Sequence, residues 1–328
     1  MAWCESAAEL SRARAEQPLV VPSPNGNLFG LYTPPAPEVL AAGLCVIWFT
    51  MPRSHRNRMW VEGARRLAAR GFACFRFDYH GVGDSAGESA EVEPNRPYRD
   101  DALAVIRHLR ERFGERRFVL YGSCFDARTA LSAFDGEADA IEGLFFMAAP
   151  VMQMDDLVRA DADRKGWSHL LHALRRPDNW RSLRDPGRWK YMATVLGRIG
   201  GRTLNAEQRT PLPLSSGFRS HFDRLVRSRA HALFLYGRED REYESFREAE
   251  RSLWPRLPAE ARRRLTIEVW EGQVHDGILR VDRQREIVER VLAWIEALRA
   301  RADSLPHAGA ATASSPPGND GARGTRGH

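Results

Sequence analysis

The feature that most constrains this chain is a regular alternation of short apolar runs with longer amphipathic stretches. Residues 44–50 (LCVIWFT) are apolar at nearly every position, the pattern of a strand buried on both faces. Residues 59–70 have helical spacing and stop at Gly71, a natural helix end. The strand pattern returns at 72–77, 118–121, 144–147, 232–236 and 265–270, and the helical one at 98–113, from the turn past Cys124 to about 134, and at 287–298. This order predicts an α/β fold built on a mostly parallel, doubly wound sheet. The runs 19–21 and 28–32 flank Asn25-Gly26 and predict an antiparallel hairpin at its start.

Between the fourth and fifth of the parallel runs the alternation stops. Residues 151–229 are rich in Arg, Trp and Leu with helical spacing and no strand-like run, too long for a plain connection. They are expected to form a helical cap over the strand ends. The chain then divides into an N-terminal extension (1–17), a core (18–150 and 230–300), the cap (151–229) and a tail (301–328). The tail is mostly Ala, Gly, Ser and Pro and is expected to be disordered.

Charge and cysteine usage exclude several classes. Lys+Arg number 49 against 43 Asp+Glu, a net +6, yet only Lys165 and Lys190 are lysines and no basic run is interleaved with aromatics. Nucleic acid is therefore not an expected partner. No apolar run approaches the roughly 20 residues needed to span a bilayer, and the N-terminal residues lack the pattern of a secretory signal. A cytoplasmic protein without membrane partners is the expectation. The four cysteines, Cys4, Cys45, Cys74 and Cys124, show neither zinc-ligand nor disulfide-scaffold spacing, so neither a metal nor another cofactor is expected.

The strongest local signal is Tyr121-Gly-Ser-Cys-Phe-Asp-Ala127, which follows an apolar strand and opens a helix. A nucleophile on a sharp strand-to-helix turn needs a small residue two positions before it. Gly122 stands there for Cys124, whereas Ser123 has Tyr121. Asp126 occupies the second position where a small residue is usual. It suits a helix dipole but beside a thiol should raise the thiol pKa. The alternative is a buried structural cysteine.

Three further segments carry a resemblance. They are Asp78-Tyr-His-Gly-Val-Gly-Asp-Ser85 before the turn, Gly237-Arg-Glu-Asp240 after a later strand, and Glu271-Gly-Gln-Val-His275 after the last strand. With the turn they resemble the α/β-hydrolase superfamily over roughly residues 18–300. A cysteine at the nucleophile position resembles the dienelactone-hydrolase type and certain acyl-transferring members. The resemblance implies Cys124 as nucleophile, His275 as its base and Asp240 as the acid that orients the histidine. Asp155 or Asp156 is the fallback acid, and Asp240 alternatively caps the following helix. The backbone N–H of Phe125 is the implied oxyanion donor, with that of Met51 second. Here residues 49–52 read Phe-Thr-Met-Pro, where many members have His-Gly.

An acyl-cysteine forms more readily from an activated carbonyl than from an ordinary ester or amide. The expected substrates are activated esters, lactones or thioesters. Hydrolysis is the first reading; acyl transfer from a CoA or acyl carrier protein thioester is the second, and a non-catalytic binding protein of this fold the third. The cap carries 16 Lys+Arg against 8 Asp+Glu, and Trp167, Trp180, Trp189 and Tyr191 lie among them. This suits an anionic, phosphate-bearing thioester or is a solvated arginine face.

Overall fold

The computed structural model describes residues 16–88, 96–152 and 214–303. Its strands are β1 (Gln17–Val21), β2 (Leu28–Thr33), β3 (Cys45–Phe49), β4 (Ala73–Phe77), β5 (Phe118–Ser123), β6 (Ile141–Met147), β7 (His231–Gly237) and β8 (Leu265–Trp270). They form one sheet in the order β1-β2-β4-β3-β5-β6-β7-β8. β1 and β2 pair antiparallel as a hairpin, β2 meets β4 antiparallel, and every later pairing is parallel. The helices among the described residues are α1 (Met59–Ala68), α2 (Arg99–Phe113), α3 (Asp126–Glu137), α4 (Ser216–Arg227), α5 (Arg241–Leu253), α6 (Ala259–Arg264) and α7 (Val281–Asp303). This is the doubly wound α/β arrangement that the apolar alternation predicts.

The parallel strands read as unbroken apolar runs because both faces are buried. Successive residues of β3 serve opposite cores. Cys45, Ile47 and Phe49 pack on the face covered by α2–α6, while Val46 and Trp48 pack on the face covered by α1 and α7. Trp48 stacks on Trp60 of α1 with ring centroids 4.5 Å apart, and Trp60 lies 4.3 Å from Tyr121 of β5.

Residues 214–229, which the sequence reading placed in the cap, belong to the core in part. Leu214 bridges to Met152. Ser215 then caps α4, its hydroxyl accepting from the Phe218 N–H at 3.3 Å. The apolar stripe of Phe218, Phe222 and Leu225 joins the same core as α3. The rest of the expected cap, 153–213, lies outside the described residues, as do Asp155, Asp156 and the tail from 304 on. Arg128 of α3 holds the segment that follows β6, donating to the carbonyls of Pro150 and Met152.

Strand order reverses direction at β3, since β4 lies on one side of it and β5 on the other. In open α/β sheets the crevice at such a point, outside the carboxyl ends of the strands, is where ligands bind. The loops after β3 and β5 therefore flank the place to look.

Candidate active site

Cys124 sits one residue past β5, between strand and helix. Its backbone has φ 49°, a left-handed conformation that costs a non-glycine residue energy and marks sites held by their surroundings. Two backbone hydrogen bonds hold it: Cys124 N–H to the Met147 carbonyl at 2.8 Å and Ala127 N–H to the Cys124 carbonyl at 3.1 Å. The turn is so tight that α3 crosses directly over Gly122. A Cβ there would lie 2.7 Å from Ala127 Cα and from the Asp126 carbonyl oxygen. Backbone atoms cannot swing aside. Gly122→Ala is expected to destabilise the chain by about 3 kcal/mol, the upper part of the range for overpacking, read as a lower urea midpoint.

His275 follows β8 and reaches back to this turn. One donor atom each from Cys124, His275 and Glu242 lies within 4.8 Å of the other two. Glu242 comes from the first turn of α5 and its side chain is only 13% exposed, against 33% for His275. Its Oε1 is 3.9 Å from His275 Nδ1, and Asp276 Oδ1 is 3.6 Å away from the same nitrogen. Both separations exceed hydrogen-bond length.

Asp240 is beside the histidine but engaged with its backbone. Oδ1 accepts from the N–H groups of Val274 and His275, each at 3.0 Å, and Oδ2 accepts from the Gly237 N–H at 2.6 Å. Asp240 thus ties the end of β7 to the loop that carries His275. It precedes α5, and its side chain makes no capping bond to that helix. Burial raises its carboxyl pKa, while the three N–H groups oppose the rise.

The sequence reading did not select Glu242. The only signal for it was a second acid two residues past Asp240, at a helix start where acids are common. Burial raises the pKa of Glu242 as well, with His275 opposing. Burial pushes the Cys124 thiol up to about 12, with the Glu242 carboxylate the next contribution. The Phe125 N–H opposes that rise, and Asp126 adds to it, the direction expected for an acid beside a thiol. The resting group is a thiol rather than a thiolate.

The second expected oxyanion donor lies on the loop after β3. Phe49 and Gly122 are register partners, so Met51 and Cys124, each two residues further on, leave adjacent strand ends. Asp78 anchors this loop: Oδ1 accepts from the Arg53 N–H at 2.9 Å, and the carboxylate pairs with the Arg53 guanidinium. Ser85 donates to the Asp78 carbonyl at 2.6 Å, and Asp101 pairs with His80 Nδ1 at 2.7 Å. Asp78, His80 and Ser85 are therefore scaffold. The loop also carries His55, whose Nδ1 is buried without a hydrogen-bond partner among the described residues. Burial, Arg56 and His275, in that order, lower its pKa to about 4, so its imidazole is neutral.

Residues 54–180 match the protein family described as serine aminopeptidase, S33. No curated protein matches the sequence. Among solved structures, the chain is similar to an esterase from Pyrococcus furiosus, with TM-score 0.55 and 15% identity over 90% of this chain and 96% of that one. It is also similar to a proline iminopeptidase from Mycobacterium smegmatis, with TM-score 0.53 and 15% identity over 88% of this chain and all of that one. An α/β serine hydrolase homologue from Coxiella burnetii has TM-score 0.51 and 15% identity over 84% and 96% of the two chains.

Proposed function

We propose that the chain, which shares the fold of solved α/β hydrolases and matches a hydrolase family over residues 54–180, cleaves an activated ester, lactone or thioester through an acyl intermediate on Cys124. The observation that carries this reading is the left-handed Cys124 with His275 beside it at the carboxyl ends of the strands. Sγ attacks the carbonyl carbon as His275 takes the thiol proton, so base assistance compensates for the raised thiol pKa. The Phe125 N–H, at the start of α3, and the Met51 N–H stabilise the developing oxyanion. His275 then returns the proton to the departing alcohol or thiol, and water releases the acyl group. Asp240 holds the loop of His275, and the Glu242 carboxylate stabilises the imidazolium.

The serine in the description of the matching family makes Ser123 the natural rival. A slowly released activated ester separates the two. Peptide mass spectrometry is expected to find the acyl group on Cys124, and an adduct on Ser123 would overturn the assignment.

Transfer to an acceptor other than water is the second branch. It is favoured by the thiol itself, because exchange between a donor thioester and an acyl-cysteine is nearly neutral. The net +8 of residues 151–229 suits a phosphate-bearing donor such as an acyl-CoA or an acyl carrier protein. Raising the salt concentration is then expected to lower kcat/KM for an acyl-CoA more than for its short N-acetylcysteamine analogue.

A further inference from the structure

Cys124, Glu242 and His275 offer three different donor types: a sulfur, a carboxylate oxygen and an imidazole nitrogen. They come from the segments that follow β5, β7 and β8, Glu242 from the first turn of α5, and one donor atom of each lies within 4.8 Å of the others. Donors around a tetrahedral Zn2+ sit about 3.3–3.6 Å apart, given bond lengths of about 2.0–2.3 Å. Closing the cluster therefore needs a contraction of little more than about 1 Å, which χ rotations of Glu242 and His275 can supply. His275 is one-third exposed, so an ion can enter and a water can complete the shell.

We propose that these three side chains bind one thiophilic divalent cation of the Zn2+ class, which occupies the nucleophile and blocks it. The cation displaces the thiol proton to solvent: the S–H bond breaks, an S–metal bond forms, and nothing is oxidised or reduced. A thiolate and a carboxylate together neutralise the dication, so the loaded site carries no net charge and avoids the cost of an unpaired buried ion. The sulfur and nitrogen donors select Zn2+, Co2+ or Cd2+ over Mg2+ and Ca2+. The proposal uses the same cluster as the hydrolase reading but does not depend on turnover.

The test is a titration of the full chain with Co2+ under reducing, oxygen-free conditions. A near-ultraviolet sulfur-to-cobalt charge-transfer band saturating at one Co2+ per chain, and abolished by Zn2+, is expected. Cys124→Ser should remove the band, Cys4→Ser should keep it, and Glu242→Gln should weaken binding by about tenfold or more. Absence of the band in the natural chain, its survival in Cys124→Ser, or unchanged affinity in Glu242→Gln would overturn the proposal. A second readout needs no variant. Saturating Zn2+, but not Mg2+, should slow alkylation of Cys124 by iodoacetamide by about tenfold or more, and equal rates would overturn it too. A cobalt–thiolate band without any acyl-Cys124 would defeat the hydrolase reading alone. Acylation without the band would defeat the metal site alone.

Discussion

Replacing Cys124 by Ala is expected to lower kcat/KM for p-nitrophenyl acetate or an acyl-CoA by about 10³-fold or more, the scale of losing a covalent nucleophile. Ser123→Ala should stay within about threefold of the natural chain. The contrast rests on one position along the backbone. Ser123 is the last residue of β5, paired with Met147 across the sheet and 7% exposed. Cys124 is the residue that turns through φ 49°, and it is Cys124 that meets His275. Because burial pushes its thiol up to about 12, Cys124 is expected to react sluggishly with iodoacetamide near neutral pH while still turning over a bound ester. The difference comes from His275, which removes the proton only when an acceptor carbonyl is in place. Retained activity in Cys124→Ala together with loss in Ser123→Ala would transfer the role to the serine.

Asp126→Asn is expected to stabilise the protein above neutral pH and to have no such effect near pH 4. Asp126 opens α3 almost fully buried, and one carboxyl oxygen has no hydrogen-bond partner among the described residues. Burial raises its pKa from the ordinary 3.8 to about 7, against a lowering influence of the Tyr79 hydroxyl. A raised acid pKa means that the folded chain binds the proton more tightly than the unfolded chain. Below the unfolded pKa both states are protonated and the group is neutral to stability. From there to about 7 the unfolded state ionises first, so stability falls as pH rises. Above about 7 the full cost persists, up to about 4 kcal/mol. Asn keeps the volume and cannot ionise. Thermal midpoints compared at pH 8 should rise on the order of 10 °C in the variant, with the gap closing by pH 4. An unchanged gap across that range would mean that Asp126 does not titrate in the folded chain.

The elements were legible in the chain because the strands and most helices are local patterns. Residues 44–50 and 232–236 are apolar throughout since both faces of a central parallel strand are covered. The turn at Gly122-Ser-Cys124 was legible for a steric reason, the close crossing of α3 over a residue that cannot carry a Cβ. The helical spacing of residues 151–229, within which residues 216–227 form α4, was visible in the sequence. The packing partner of α4 was not, because an amphipathic stripe states that a face is buried and not against what.

The same division holds at the site. By itself the sequence determined the succession of strands and helices and the position of the sharp turn that makes Cys124 a candidate, each of which follows from residues within one short segment. His275 entered only through the resemblance that several segments carry together. Which of the two acids at the start of α5 approaches the imidazole was decided by tertiary structure. Asp240 precedes α5 and Glu242 is its second residue, so their side chains point in different directions. Asp240 turns to the N–H groups of Gly237, Val274 and His275, while Glu242 faces the ring. Backbone donors that must be satisfied in a buried loop claim the nearer acid, and that claim exists only once β7 and β8 lie side by side.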